Sequence, residues 1–192
     1  MIQDLIDFIF PPFCLACGEK CTHKYLCLSC WGLCELPDPV TKCRHCFEEL
    51  DKRGTLCSRC RDKPLFTAVR ATVFDRESPA HFLGLDAVDA MASFAFLQWV
   101  QLEWPIPFAI IPMPEAADLA KSLSKLIDCP FVPALKWGTQ YLENSLEEDR
   151  ELLLIDISSP IELLQKAIDA LSESFPKRIY LLTLFPYGIY YP

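Results

Sequence analysis

The amino-acid sequence predicts an α/β fold with a small cysteine-rich module at its N-terminal side. Four Cys-x-x-Cys pairs fall between Cys14 and Cys60. After Lys63-Pro64, apolar segments follow one another in the order strand, helix, strand, helix, strand, helix, strand. This rhythm implies a mostly parallel sheet with right-handed crossovers. We therefore expect two domains, over residues 1–63 and 64–192.

Each Cys-x-x-Cys pair is a candidate metal-binding knuckle, because two intervening residues let one tight turn aim both sulfurs at a single ion. Two knuckles complete a tetrahedral set of four sulfurs, which suits Zn²⁺. The sequence thus predicts a double zinc ribbon with two zinc ions. The expected ligands are Cys14, Cys17, Cys27, Cys30, Cys43, Cys46, Cys57 and Cys60.

The pairing of the knuckles is open at this point. Nine and ten residues separate the first from the second knuckle and the third from the fourth, enough for a short hairpin, which favours sequential pairing over interleaved pairing. A disulfide framework is disfavoured because nothing marks the chain as secreted. An iron–sulfur cluster finds some support in Cys21 and Cys34, which each follow a knuckle by four residues. We interpret these two thiols, and Cys129, as buried spare thiols.

Composition indicates a packed protein with an acidic surface. Apolar residues make up 52% of the 192 positions, and no apolar run reaches the roughly 18 residues of a membrane span. The first ten residues lack the basic start of a signal peptide, so we expect a cytoplasmic protein with no membrane association. The net charge is −8, and residues 71–192 carry 8 basic and 17 acidic side chains. A broad polyanion-binding surface is therefore not expected.

Periodicity and turn residues place the remaining elements in order. Ser158-Ser159-Pro160 is expected to cap the helix that follows it, with Pro160 at the first helical position. In the same way, Ser78 is the expected N-cap of the longest helix, and Pro79 lies in its first turn. His81 is interpreted as a core or surface residue. The expected elements are helix 2–10, strand 68–74, helix 79–101, strand 108–111, helix 115–127, a brief strand at 131–132, strand 152–157, helix 160–174 and strand 178–185.

The pattern resembles the ComF family, in which a double zinc ribbon precedes a type I phosphoribosyltransferase-like domain. The resemblance implies that fold here, together with an association with natural competence and incoming DNA. It covers nearly the whole chain. It rests on Phe10-Pro11-Pro12-Phe13-Cys14, Cys17-Gly18, Leu26-Cys27, Cys30-Trp31, Ala68-Val69-Arg70-Ala71, Ile110-Ile111-Pro112-Met113-Pro114 and Leu153-Leu154-Ile155-Asp156.

The chain departs from the family where a phosphoribosyltransferase would bind phosphoribosyl pyrophosphate. Such an enzyme carries two consecutive acids and a Gly-rich turn whose N–H groups hold the phosphate. Here Ile157 follows Asp156, and the turn is reduced to Ser158-Ser159-Pro160 without glycine. The basic stretch expected after Pro114 is also missing.

We therefore expect a binding or adaptor module with a catalytically silent, degenerate phosphoribosyltransferase-like domain. The alternative is an active Mg-dependent phosphoribosyltransferase that uses Asp156 on ribose or metal and Ser158 and Ser159 on phosphate. A third reading is an unrelated zinc-ribbon adaptor. We expect a protein partner, and any binding of single-stranded DNA is expected to be weak and to fall steeply with salt.

Overall fold

A computed structural model describes residues 12–21, 25–50, 54–62, 67–84, 87–135 and 146–186. The predicted helix over residues 2–10 lies outside these ranges. The described strands are β1 (Val69–Thr72), β2 (Ala109–Pro112), β3 (Glu151–Asp156) and β4 (Arg178–Thr183). The described α-helices are α1 (Leu28–Gly32), α2 (Ser58–Asp62), α3 (Val88–Gln101), α4 (Ala117–Ile127) and α5 (Ile161–Ser172).

The four strands form one sheet in the order β1-β4-β3-β2, and every pairing between them is parallel. In β3, Leu154 pairs with Ile111 of β2 on one side and with Leu181 of β4 on the other. The last five residues of β3 are buried, as expected for a central parallel strand covered on both faces. The predicted α/β class with a mostly parallel sheet is confirmed.

The longest helix begins later than its sequence suggested. The hydroxyl of Ser78 accepts the N–H of Ala80 at 3.3 Å, but it caps only a short 3-10 helix, Pro79–Phe82. Leu83 is then buried in an extended conformation, which interrupts the helical hydrogen bonds, and α3 starts at Val88. The prediction of a continuous helix from Pro79 was wrong because burial of Leu83 outweighs local helix propensity.

The edge of β2 extends through a short irregular segment. The N–H of Ile110 donates to the carbonyl of Pro130 at 2.8 Å, and the N–H of Val132 donates to the carbonyl of Ile110 at 2.9 Å. Phe131 therefore forms a single parallel bridge with Ile110 in place of the predicted brief strand. The segment is too short to be counted as a fifth strand.

The cysteine-rich module packs directly against the α/β half. The indole of Trp31 in α1 stacks on Phe94 in α3, with ring centroids 6.2 Å apart. The fully buried Gln98 of α3 donates to the carbonyl of Pro37 at 3.2 Å. No helix in the described part of the chain is both long and apolar enough to cross a membrane.

Candidate functional site

The first knuckle lies in a tight hairpin. Phe13 and Lys20 form an antiparallel bridge, and the N–H of Cys14 donates to the carbonyl of Glu19 at 2.8 Å. The N–H of Gly18 closes the turn on the carbonyl of Cys14, with φ at +74°. Glycine adopts this left-handed conformation without a steric penalty, so the turn is well matched to its sequence.

The second knuckle is the start of α1. Cys27 is the N-cap of that helix, and its sulfur accepts the N–H of Cys30 at 3.5 Å. A cysteine at the N-cap thus does what serine or aspartate does elsewhere, and it fixes two sulfurs one helical turn apart.

The third and fourth knuckles repeat this geometry. The N–H of Cys43 donates to the carbonyl of Glu48 at 2.8 Å, and Cys57 accepts the N–H of Cys60 at 3.5 Å. Phe47 stands at the position of Gly18 in the first ribbon and takes the same left-handed conformation, with φ at +61°. A non-glycine residue there costs about 1–2 kcal/mol, which burial of the Phe47 ring offsets.

The thiols gather into two groups of four in the sequential arrangement. The sulfurs of Cys14, Cys17, Cys27 and Cys30 lie within 4.8 Å of one another, and so do those of Cys43, Cys46, Cys57 and Cys60. The interleaved arrangement is not the one that the structure adopts.

The spacing of the sulfurs fits a tetrahedral zinc ion. With a Zn–S distance of about 2.3 Å, the edge of an S₄ tetrahedron is about 3.8 Å. The Cys17 and Cys27 sulfurs are 3.8 Å apart, and the Cys46 and Cys57 sulfurs are 3.6 Å apart. Each group can therefore hold one zinc ion as a closed four-thiolate site. With no open coordination position, such an ion acts structurally.

In each group, hydrogen bonds from backbone N–H groups lower the pKa of one thiol. Burial raises the pKa of Cys14, but the N–H groups of Cys17, Cys27 and Ala16 outweigh it and lower this pKa to about 6. In the second group burial likewise raises the pKa of Cys43, and N–H groups led by that of Cys46 lower it to about 7. Hydrogen bonding to the charged form explains both shifts.

Three other thiols, those of Cys30, Cys46 and Cys60, resist ionisation without a metal. The hydrogen bond with Cys27, followed by burial, raises the pKa of Cys30. Burial raises the pKa of Cys46 to about 11, and burial with the neighbouring Cys46 raises that of Cys60. Four thiolates cannot share so small a volume unless a cation compensates them, so metal binding and proton release are coupled.

The three other cysteines lie outside both groups. Cys21, Cys34 and Cys129 are buried, and burial raises the pKa of Cys34 and of Cys129. Cys21 and Cys34 therefore do not join the knuckles they follow, so the triplets that favoured an iron–sulfur cluster are not assembled.

The candidate acid Asp156 stands at the carboxyl end of β3 and is only 1% exposed. Its carboxylate accepts the N–H of Ser159 at 2.9 Å and the Ser159 hydroxyl. Burial raises the pKa of Asp156 to about 6. The two Ser159 bonds oppose that shift, and the charge of Glu115 adds to it. The structure thus brings Asp156 and Ser159 together within the fold.

Ser159 donates hydrogen bonds to Asp156 and does not cap α5. Pro160 occupies the N-cap position, has no side-chain cap bond, and its carbonyl accepts the N–H of Leu163 and Leu164. The predictions of a serine cap and of Pro160 at the first helical position were therefore wrong. A buried carboxylate needs donors, and this requirement outweighs the preference of serine for the helix terminus. Ser158 and Ile157 are half-buried beside it.

Side chains fill the edge of the sheet around Asp156. The residues at or just after the strand ends are almost fully buried: Thr72, Met113, Thr183, Leu184 and Phe185. The imidazole of His81 stacks on Phe185 with ring centroids 4.1 Å apart, and burial lowers the pKa of His81. The sequence carried no signal that His81 would approach this edge.

A second feature missed from the sequence is a buried cation in β1. Arg70 is 5% exposed, and its guanidinium lies 3.5 Å from the carboxylate of Glu48 in the second ribbon. The N–H of Arg70 also donates to the carbonyl of His45 at 2.8 Å. A single basic residue within an apolar segment gives no indication of such contacts.

No protein-family model matches this chain, and no curated protein does. The crystal structure of HGPRT-ase from Leishmania tarentolae in complex with GMP aligns with a TM-score of 0.33 and 16% sequence identity. The alignment covers 53% of this chain and 64% of that one. A likeness of this size does not establish a shared fold, so the architecture rests on the strand order described above.

Proposed function

We propose that this chain is a ComF-like zinc-binding protein that acts as a binding or adaptor module, with a catalytically silent phosphoribosyltransferase-like half. The observation that carries the proposal is the closure of Asp156, whose carboxylate is buried and bonded to Ser159. The two four-thiol groups support the zinc-binding part.

Silence of the α/β half follows from what transfer chemistry requires. Phosphoribosyl transfer needs the pyrophosphate, the 5′-phosphate and the ribose hydroxyls held at once, because positioning and charge stabilisation supply most of the rate. Here the N–H of Ser159 is already bonded to Asp156, and Pro160 has no N–H to offer a phosphate. Glu115 adds negative charge beside Asp156, which opposes a polyanionic substrate.

The ribbons are then the binding half of the protein. The eight knuckle thiols would hold two zinc ions, each as a closed site with a net charge of about −2. In this proposal the ribbons bind a protein partner in the cytoplasm. The complex takes part in natural competence, that is, in the handling of incoming DNA. Single-stranded DNA is at most a weak ligand, because the chain as a whole carries a net charge of −8.

The test is calorimetric titration of the zinc-loaded chain with phosphoribosyl pyrophosphate in the presence of Mg²⁺. We expect no binding heat above that of Mg²⁺ alone, and no release of pyrophosphate with any nucleobase. Saturable binding that disappears in Asp156→Asn would instead support the alternative, an active Mg-dependent phosphoribosyltransferase that uses Asp156, Ser158 and Ser159. The Asp169→Asn variant, altered at an exposed carboxylate of α5, is the matched control.

A further inference from the structure

A cavity of about 710 Å³ lies between the second ribbon and the opposite edge of the sheet from Asp156. One wall comes from the ribbon and includes Arg44 and Phe47. The other comes from the first residues of β1 and β4 and from the segment after α3, including Trp104 and Arg178. Its volume is within the range of small-molecule pockets in proteins. We call this cavity the ribbon–sheet cleft.

The cleft concentrates positive charge in an acidic protein. Its charged lining residues are four cations and one carboxylate: Lys42, Arg44, Arg70, Arg178 and Glu103. The chain as a whole has a net charge of −8.

Two of these cations are held in place and two are available. Lys42 is buried and lies 3.5 Å from Glu49 and 3.6 Å from Asp75, and Arg70 is paired with Glu48. Arg44 and Arg178 are exposed, and neither forms an ion pair within the part of the chain that the structure describes. Guanidinium groups in this state bind phosphate or carboxylate oxygens in a bidentate manner.

Two aromatic rings line the same cleft as these guanidinium groups. The Trp104 and Tyr180 rings are 4.9 Å apart and inclined by 42°. Tyr180 is buried, whereas Trp104 is half-buried and lines the cleft, so part of the indole faces the cavity. A partly exposed indole and unpaired arginines in one cavity are the combination that binds a stacked base and its phosphate.

We propose that the ribbon–sheet cleft binds a nucleoside phosphate, with the base against Trp104 and the phosphate between Arg44 and Arg178. An inorganic anion would leave the indole unused, and an apolar ligand would leave the two arginines unused. The nucleoside phosphate can come from a free mononucleotide or from single-stranded nucleic acid. The inference stands apart from the proposed silence of Asp156, which lies at the other edge of the sheet.

The experiment uses the full zinc-loaded chain at low ionic strength and two probes, adenosine 5′-monophosphate and a ten-residue oligothymidylate. Calorimetry gives the dissociation constant, and quenching of tryptophan fluorescence reports contact with the indole. We expect Arg178→Gln to weaken binding about tenfold, the loss expected for one charge-assisted contact. Trp104→Leu should abolish most of the quenching. Arg76→Gln, which alters an exposed arginine outside the cleft, should change neither.

The outcomes separate the two sources and test the site. Binding of the mononucleotide indicates a free nucleotide, whereas binding of the oligonucleotide alone indicates single-stranded nucleic acid. Absence of binding by both probes up to millimolar concentration overturns the proposal. So does binding that Arg178→Gln and Trp104→Leu leave unchanged while near-UV circular dichroism shows both variants to be folded. Binding of phosphoribosyl pyrophosphate that depends on Asp156 would contradict the proposed function and leave this inference intact.

Discussion

Replacing Asp156 with asparagine tests whether the acid is structural or catalytic. The carboxylate is 1% exposed and bonded to both the N–H and the hydroxyl of Ser159. Asparagine has nearly the same shape and keeps one acceptor oxygen, but it does not ionise. The substitution therefore removes the free energy of burying a charge and weakens one hydrogen bond.

The magnitude follows from the pKa of Asp156, which burial raises from 3.8 to about 6. Since the folded state binds the proton more tightly than the unfolded state, this group contributes stability that is fully present below pH 4 and is lost as the pH rises through 6. A shift of this size corresponds to about 3 kcal/mol in total. About 1.4 kcal/mol of it falls between pH 5 and pH 7.5.

Urea unfolding of both proteins at pH 5 and pH 7.5, followed by circular dichroism, measures the effect. We expect the stability of Asp156→Asn relative to wild type to rise by about 1.4 kcal/mol between these pH values. Effects of pH on zinc binding are common to both proteins and cancel in the difference. Asp169→Asn, at an exposed carboxylate, should show no such change. A pH-independent difference for Asp156→Asn would show that the acid is solvated, and the argument for a closed site would fail.

Three further predictions concern Ser159 and the metal groups. Ser159→Ala should lower the free energy of unfolding by roughly 1–3 kcal/mol at pH 7.5 and by less at pH 5, because it leaves an ionised carboxylate without its hydroxyl donor. Ser122→Ala, which removes an exposed hydrogen bond to Asp89, is the control. Equal losses at both pH values would contradict the reasoning. Elemental analysis should find about two zinc ions per chain, with an affinity that rises from pH 6 to pH 8 as thiols ionise; iron in their place would refute the assignment. Cys14→Ser should lower the urea midpoint of the α/β half more than Cys43→Ser, because Cys14 lies in the same hydrophobic core as the sheet and Cys43 lies in a separate cluster; equal shifts would count against this difference.

The parallel sheet could be predicted because its signals are local. The run from Leu152 to Ile155 is apolar at every position, as a strand covered on both faces must be. The knuckles could be predicted for the same reason, since two residues between cysteines require one tight turn. Element type and order therefore followed from short stretches of sequence taken one at a time.

What could not be predicted depends on contacts between distant segments. The start of α3 at Val88 is set by the burial of Leu83, and the left-handed turn at Phe47 is held by the core against its own preference. The use of Ser159 by Asp156 required knowing that the end of β3 is sealed from water. The ribbon–sheet cleft exists because β4 lies next to β1, which pairs Tyr180 with Val69. No local sequence pattern indicates that β1 and β4 are adjacent in the sheet.

The two ribbons contact the α/β half in different proportions of apolar and polar contacts. Four cysteines of the first ribbon region and Leu26 share the main hydrophobic core, and burial of this kind stabilises without needing an exact geometry. The second ribbon contributes Phe47 to that core, and it also contacts the α/β half through two ion pairs: Arg70 with Glu48, and Lys42 with Asp75.

Each of these pairs joins a buried cation to an exposed carboxylate, so solvent screens the attraction and the pair contributes little net stability. The two cations of these pairs, Lys42 and Arg70, also line the cleft. An anion held by Arg44 and Arg178 would add to the attraction between the two walls, since one arginine belongs to the ribbon and the other to the sheet. A ligand that binds both walls is therefore expected to stabilise the second ribbon against the sheet, because it binds the folded arrangement and not the separated one.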